Sequence, residues 1–163
     1  MTDVYIHDKE FYVGIDPSLS ATGVVMINEE GVIAEERLIN TYTEHYICIE
    51  QRLLDIMDSI IFLSGVMKLR YVYVEAMPYL SKGGAIFERC GLLYLITTFL
   101  FKREIPFKMI PPTTLKKWAV GKGNADKKMM MEKSGERWGI KFTDDNICDA
   151  YNLAQMCRAD QGE

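Results

Sequence analysis

The 163-residue sequence contains few of the residues that bind soft metals or cross-link secreted proteins. It has only two histidines and no Cys-x-x-Cys pair, and its four cysteines are widely spaced. This pattern argues against a zinc site and against a disulfide framework. We therefore expect a cytoplasmic protein whose cysteines are buried thiols. These are Cys48, Cys90, Cys148 and Cys157.

Long apolar runs and nucleotide-binding loops are also missing. The longest apolar stretch, residues 90–101, includes Thr97 and Thr98 and is too short to span a bilayer. Residues 121–128 combine glycine with lysine, but position 126 is Asp and no Ser or Thr follows the lysines, so they do not form a Walker A loop. The sequence thus predicts neither a membrane role nor a nucleotide cofactor.

The length indicates one domain over residues 1–163, large enough to bury roughly 70% of its unfolded surface. Residues 1–9 are polar and unpatterned, and we expect a flexible N-terminal arm there. The net charge of −4 is unevenly distributed: residues 101–141 hold eleven Lys and Arg against four acids, whereas the rest is strongly acidic. This basic segment suggests a polyanion-binding face, and a solvated helical surface is the alternative.

The apolar patterns predict strands that alternate with helices. Residues 11–15, 22–27 and 32–38 favour an antiparallel meander, and residues 69–74 and 107–110 favour two further strands. Helical periodicity covers residues 46–66, 86–101 and 125–138. Capping residues indicate two more helices. One is capped by Thr113 or Thr114 and runs through Val120, and the last begins after Thr143 or Asp144. Residues 86–101 are apolar nearly all round, so we expect the sheet and a second chain to cover them, with core burial as the alternative.

Acidic side chains stand where predicted elements begin or end. Asp16 follows the first strand, Glu75 follows the fourth, and Asp149 lies one turn into the last helix. Ligand sites in open α/β sheets gather at the carboxyl ends of strands, so Asp16 and Glu75 could share one site if their strands are neighbours. Carboxylates with almost no His or Cys nearby suit hard cations such as Mg²⁺ or Mn²⁺. Turn formation, capping and surface charge are the alternative roles.

Four short motifs together resemble one protein family. They are Val13-Gly14-Ile15-Asp16-Pro17-Ser18 with Thr22-Gly23, then Tyr73-Val74-Glu75, then Gly121-Lys122-Gly123-Asn124-Ala125-Asp126-Lys127, and Asp149-Ala150. In order and spacing they resemble the RuvC-type Holliday junction resolvases of the ribonuclease H-like superfamily, and the divergence indicates a phage-type member. The resemblance implies an α/β fold with a five-stranded mixed sheet, order 3-2-1-4-5, and helices on both faces.

The resemblance also implies an activity in DNA recombination and repair. The expected enzyme is a homodimeric crossover junction endodeoxyribonuclease that makes paired nicks in four-way DNA, could also act on other branched DNA, and leaves 5′ phosphates. Its implied cofactor is Mg²⁺, with Mn²⁺ as a substitute, and two ions about 4 Å apart would activate a water and stabilise the leaving oxygen. The helix at residues 86–101 is the candidate dimer interface.

By position, Asp16, Glu75 and Asp149 match three of the family's metal-binding acids. The fourth acid normally stands three residues before the last one, where this sequence has Asn146 with Asp145 beside it. We favour Asp145 as the catalytic ligand and Asn146 as a direct or water-mediated neighbour. The DNA-binding candidates are Lys82, Lys116, Lys117, Lys122, Lys127 and Tyr79, the last near the family's aromatic wedge.

Two other functions compete with this interpretation. A ribonuclease H-like protein that binds nucleic acid without cutting it would keep the fold and lose acids, whereas at least three acids survive here. A sugar-kinase-like ATPase also begins with Gly-Ile-Asp and a hairpin, but it needs a second matching domain. Nicking that depends on Mg²⁺ tests the first alternative, and ATP binding tests the second.

Overall fold

The central feature is a five-stranded mixed sheet. The computed structural model describes residues 9–77 and 85–162, except the side chain of Thr43. Its strands lie in the order β3-β2-β1-β4-β5, which confirms the predicted order. They are β1 (Glu10–Asp16), β2 (Ala21–Ile27), β3 (Ile33–Asn40), β4 (Lys68–Glu75) and β5 (Phe107–Ile110). The first three strands are antiparallel, and β1, β4 and β5 are parallel.

The burial of each strand explains its sequence pattern. In β1, residues 11–15 are all buried, because helices cover both faces of the sheet centre. A strand buried on both faces must be apolar at every position rather than at alternate ones. In contrast, β3 lies at the sheet edge and alternates between exposed and partly buried residues.

Two helices cover one face of the sheet and the others lie on the opposite face. On the first face, α1 (Ile49–Val66) and α2 (Ile86–Lys102) contribute Ile56, Ile60, Leu92 and Ile96 to the core. On the second face, α5 (Asp145–Gln161) packs against β1, β2 and β4. Helices α3 (Pro112–Val120) and α4 (Lys127–Trp138) pack on α5 and on each other. Helices on both faces of the sheet are the predicted arrangement.

Helix starts differ from several sequence predictions. The first helix begins at Ile49 rather than residue 46, because Cys48 directly before it is extended. Residues Thr43–His45 form a separate short 3-10 turn. Neither Thr113 nor Thr114 caps α3, which begins at Pro112, a residue well suited to the first helical position. The fourth helix begins after Asp126, whose side chain accepts the Met129 N–H, two residues later than predicted.

The last helix lies unusually close to the sheet at two glycines. A Cβ atom on Gly14 would lie 1.9 Å from the Ala150 carbonyl oxygen and 2.6 Å from the Ala154 nitrogen. On Gly23, it would lie 2.3 Å from the Asn146 carbonyl oxygen. Because both contacts are with backbone atoms, glycine at these positions allows α5 to lie against β1 and β2.

The contact between α3 and α4 is made by stacked aromatic rings. Trp118 and Trp138 stack with ring centroids 6.2 Å apart. The Arg137 guanidinium lies 4.3 Å and 4.6 Å from their ring centroids and donates hydrogen bonds to the Trp118 and Ala119 carbonyls. The Trp138 indole N–H in turn donates to the buried Asn152 side chain on α5. This contact fixes the basic segment to the helix that carries Asp149.

The cysteine prediction is correct for only half of the residues. All four thiols are free, and Cys148 and Cys157 are buried in α5. Cys48, the extended residue before α1, is exposed, and Cys90 of α2 is partly buried. Over residues 9–77 and 85–162, no helix is long and apolar enough to cross a bilayer.

Candidate active site

The site begins where two parallel strands end. Ile15 of β1 pairs with Val74 of β4, so the following residues, Asp16 and Glu75, occupy equivalent positions on neighbouring strands. Pro17 follows Asp16, and the chain leaves the sheet there. Between the two acids lies a pocket of about 30 Å³, whose other walls include Arg89 and Leu93 of α2. This volume holds one or two water-sized groups.

Helix α5 brings two more carboxylates to these strand ends. Asp144 caps this helix by accepting the Asn146 and Ile147 N–H groups at 2.9 and 3.1 Å. It is one of the two residues predicted to precede the helix, the other being Thr143. The close contact of α5 with Gly23, the partner of Asp16 in the hairpin, places its first turns beside Asp16. Asp145 and Asp149 are then near enough to shift the ionisation of Asp16.

The acids are held in a state that disfavours their charge. Burial raises the pKa of Asp16, and the Asp149 and Asp145 carboxylates raise it further. Burial likewise raises the pKa of Glu75, with further contributions from Asp16 and Asp149. For Asp149, burial raises the pKa to about 6, and its Oδ1 atom is buried with no hydrogen-bond partner in the described part of the chain. The positive charge near the cluster is therefore too small to offset the burial and mutual repulsion of the acids.

Among the described residues, three cations lie around the acids. Lys116 of α3 lowers the pKa of Glu75 and Asp149, and Lys127 at the start of α4 forms an ion pair with Asp145. Arg89 of α2 lowers the pKa of both Asp16 and Glu75. The lysines belong to helices on one face of the sheet and the arginine to a helix on the other face. Positive charge thus approaches the acids from both sides.

The two candidates for the fourth ligand have different surroundings. The Asp145 carboxylate faces Lys127 and adds to the negative charge around Asp16 and Asp149. The Asn146 amide donates to Asp144 Oδ1 at 3.3 Å, so its side chain is directed toward the helix cap. In this arrangement Asp145 is the residue that shares an electrostatic environment with the other acids.

Two other predicted DNA-binding residues, Lys117 and Lys122, do not join this cluster. Lys117 and Lys122 are exposed, and neither contributes to the pKa shifts of Asp16, Glu75 and Asp149. Lys122 follows Gly121, the left-handed residue that ends α3. Tyr79 and Lys82 lie outside the described residues.

Sequence reasoning missed Arg89. It lies in the first turns of α2, where the prediction considered only the apolar character of the helix. The signal that could have found it was a single arginine in the first turns of an otherwise apolar helix, soon after Glu75.

The donor set fits a hard divalent cation in its chemistry. Four carboxylates from β1, β4 and α5 could supply oxygen ligands, and nothing in residues 9–77 and 85–162 hydrogen-bonds to Asp149 Oδ1. Within the described residues, however, no three His, Cys, Asp or Glu side chains are arranged to hold one ion as they stand. Asp145 is engaged with Lys127. Side-chain rotation is therefore needed to enclose an ion.

The shifted pKa values predict how stability depends on pH without metal. Asp149 has an ordinary pKa of 3.8 when unfolded and about 6 when folded, so the folded state binds the proton more tightly. Its contribution is present at low pH and is lost as the pH rises from about 4 through 6, and Asp16 and Glu75 act in the same direction. In a chelator, Asp149→Asn should gain stability over the wild type across this range, up to about 3 kcal/mol at pH 7.

Thermal or urea unfolding of both chains between pH 4 and 8 tests this prediction. Asp58→Asn, on the exposed side of α1, is the control and should show a constant difference from the wild type. If the stability difference between Asp149→Asn and the wild type shrinks as the pH rises, the pKa of Asp149 is not raised by folding.

An exposed apolar surface lies on the α1–α2 side of the molecule. Tyr94 and Leu95 of α2 are 64% and 41% exposed, and Leu54 of α1 is 58% exposed. They line a shallow groove of about 520 Å³ between the two helices. Phe87 and Phe101 extend the exposed surface along α2. Exposed apolar surface of this kind marks an interaction site.

The fold and this arrangement can be compared with known proteins. No protein-family profile and no curated protein matches the chain. Among solved structures, Thermus thermophilus RuvC is similar at a TM-score of 0.74 and 18% identity, covering 92% of this chain and 95% of that one. The same protein in complex with a Holliday junction substrate has a TM-score of 0.74 and 17% identity, and the match covers 96% of this chain and 97% of that one. The yeast mitochondrial Holliday junction resolvase Ydc2 has a TM-score of 0.58 and 14% identity, and the match covers 90% of this chain and 76% of that one.

These matches confirm the fold that the motifs predicted. The chain has the ribonuclease H-like fold of the RuvC-type Holliday junction resolvases, over nearly its whole length.

Proposed function

We propose that the chain is a metal-dependent endonuclease that resolves four-way DNA junctions by paired nicks. Its single domain would act on branched DNA, and each nick would leave a 5′ phosphate. The observation that carries this proposal is the convergence of Asp16, Glu75, Asp145 and Asp149 at one edge of the sheet, with cations on both sides. The fold shared with junction resolvases supports the choice of substrate.

The buried carboxylates provide the reason for the metal requirement. They repel one another in a site where burial already disfavours charge, so a divalent cation would relieve a cost that the folded chain carries. Asp16, Glu75 and Asp149 would hold the metal, with Asp145 as the fourth ligand. Mg²⁺ or Mn²⁺ bound there would supply an activated water and stabilise the leaving oxygen.

The surrounding lysines would position the DNA. Lys116 and Lys127 lie close enough to the acids to influence their ionisation, so a phosphate that contacts either lysine lies next to the site. The exposed Lys117 and Lys122 would contact phosphates further along the same strand. Together they would hold one scissile phosphodiester over the carboxylates.

One assay tests the function directly. A labelled four-way junction is incubated with the protein with and without Mg²⁺, beside a linear duplex of the same sequence. We expect cuts in the junction only, only with Mg²⁺, with ends that DNA ligase can rejoin because they carry 5′ phosphates. Binding without any cutting in Mg²⁺ or Mn²⁺ would instead indicate a non-cleaving junction-binding protein.

The basic segment leads to a prediction about salt. The triple variant Lys116→Ala, Lys122→Ala, Lys127→Ala should bind the junction more weakly and with a flatter salt dependence. Removing one lysine–phosphate interaction should change the slope of log K against log salt by about 0.9. Fluorescence anisotropy in Ca²⁺ at several salt concentrations measures this slope.

A charge-matched triple variant at other positions is the control: Lys9→Ala, Arg37→Ala, Lys68→Ala. Lys9 and Lys68 lie at the starts of β1 and β4, the ends of these strands opposite to Asp16 and Glu75. An unchanged slope in the first triple variant, or equal slopes in both, would place the DNA-binding face elsewhere.

Substitutions also separate the two candidates for the fourth ligand. Asp145→Asn should strongly raise the Mg²⁺ concentration needed for cleavage, because it removes a charged ligand. Asn146→Asp should be tolerated or should tighten metal binding, since an added carboxylate near a helix N-terminus is favourable. Mg²⁺ titrations of the cleavage rate measure both effects. Full activity of Asp145→Ala at low Mg²⁺, together with loss in Asn146→Ala, would reverse the assignment.

The exposed apolar groove between α1 and α2 would be covered by a second copy of the chain. A two-fold dimer matches a junction with two scissile phosphates, and the apolar groove provides a surface that water would otherwise cover. Sedimentation of Tyr94→Glu against the wild type tests this arrangement, with Tyr42→Glu, an exposed tyrosine outside the groove, as the control. A wild type that sediments as a monomer would contradict it.

A further inference from the structure

Arg89 faces the small pocket between the two strand-end acids. This pocket has Asp16 on one side and Glu75 on the other, and Arg89 reaches it from α2. The residue is also exposed to solvent, so a ligand can approach it from outside.

The Arg89 guanidinium has unused hydrogen-bonding capacity. Within residues 9–77 and 85–162 it makes no hydrogen bond and no ion pair, although its charge influences both acids. Most of the other arginines donate hydrogen bonds to protein oxygens, namely Arg37, Arg52, Arg70, Arg137 and Arg158. Arg89 lines the pocket, and its N–H donors have no partner among the described residues.

A purely structural role would have a different geometry. An arginine that served as counter-ion to Asp16 or Glu75 would close the distance and make a bidentate pair with one of them. Among the described residues, Arg89 forms no ion pair with Asp16 or Glu75, and burial still raises the pKa of both acids. Its donors are thus positioned to bind an additional anion at the acids.

Two further positive charges come from the opposite face of the sheet. Lys116 and Lys127 reach the acids from α3 and α4, whereas Arg89 reaches them from α2. A phosphodiester placed over the carboxylates would meet the lysines on one side and the guanidinium on the other. The planar donor fork matches two oxygens of one phosphate better than an ammonium group does.

We propose that Arg89 is a phosphate-binding catalytic residue, whose guanidinium binds non-bridging oxygens of the scissile phosphodiester at Asp16 and Glu75. It stabilises the negative charge that develops on these oxygens as the water attacks. This role rests on the proposed nuclease function, and it adds a residue from the helix that carries the apolar dimer surface.

The cleavage test compares Arg89→Ala and Arg89→Lys with Arg103→Ala, an exposed arginine at the other end of α2. At saturating protein, the single-turnover rate should fall about 100-fold in Arg89→Ala and less in Arg89→Lys. The junction Kd in Ca²⁺ should change less than about 3-fold, since many other phosphate contacts remain. Arg103→Ala should cut like the wild type.

A second measurement requires no cleavage. Inorganic phosphate is titrated into the Mn²⁺-loaded protein and followed by the broadening of its ³¹P signal. Arg89→Ala should weaken phosphate binding about 10-fold and leave Mn²⁺ affinity unchanged or higher, because it removes a positive charge from the site.

The two measurements separate the two proposals. If the wild type cuts junctions, and Arg89→Ala cuts and binds phosphate equally well, the role of Arg89 is wrong and the nuclease function stands. If the wild type binds phosphate through Arg89 but cuts nothing, the phosphate site stands and the nuclease function fails. A wild type that binds no phosphate, or an Arg89→Ala chain that loses Mn²⁺ in parallel with its rate, overturns the role of Arg89.

Discussion

Junction cleavage should fall at least about 1,000-fold in each of Asp16→Asn, Glu75→Gln and Asp149→Asn, while junction binding persists. Each substitution removes a charged oxygen ligand and preserves the size of the side chain. The three residues come from β1, β4 and α5, so a common loss in all three would identify the point where these elements meet as the reaction centre. Single-turnover cleavage in Mg²⁺ and binding in Ca²⁺ measure the two effects.

Binding should be retained for a physical reason. The substitutions leave the basic residues of α2, α3 and α4 in place and reduce the negative charge that faces the DNA, so the Kd should stay equal or decrease. Asp55→Asn, exposed on α1, is the matched control and should cut normally. Cutting at the wild-type rate by any one of the three variants would remove that residue from the site.

Gly14→Ala should destabilise the protein by about 3 kcal/mol or prevent folding. The added methyl group would overlap the Ala150 carbonyl oxygen at 1.9 Å and the Ala154 nitrogen at 2.6 Å. Both atoms belong to the backbone of α5, so the helix must move away from the sheet, and such overpacking typically costs about 1 to 3 kcal/mol or more. Urea unfolding followed by circular dichroism measures the change.

Gly65 offers a matched control for this substitution. It lies near the end of α1, and a Cβ atom there would have no neighbour within 4 Å among the described residues. Gly65→Ala should therefore keep or raise stability, by up to about 1 kcal/mol, because alanine is the better helix former. If Gly14→Ala unfolds at the same urea concentration as Gly65→Ala, α5 is not held against β1 as tightly as the distances imply.

The sequence was sufficient to predict the strands and the acids at their ends. Apolar runs such as residues 11–15 indicate buried strands directly, and the acid that follows such a run lies at the carboxyl end of the strand. The order of the strands came from the family resemblance, because apolar patterns alone do not determine which strands are neighbours. The fold comparison confirms that order, whereas the roles of the acids remain predictions.

Side-chain direction limited the rest of the prediction. Lys116 and Lys117 are adjacent in the sequence, and only the docking of α3 decides that Lys116 faces Glu75 and Asp149. The contribution of Arg89 depends on which face of the sheet α2 covers. Arg52 of α1 donates to the Thr41 hydroxyl and carbonyl, a contact that helical periodicity alone does not indicate.

The stack of Trp118, Arg137 and Trp138 gives the protein an internal optical signal. These are the only tryptophans in the sequence, and both lie where α3 meets α4, so the indole fluorescence of the whole chain originates beside its basic segment. A cationic group held against both rings makes this emission sensitive to small changes in the stack. The proposed DNA binding in this region can thus be followed in unlabelled protein, with unmodified junctions and in variants that do not cut.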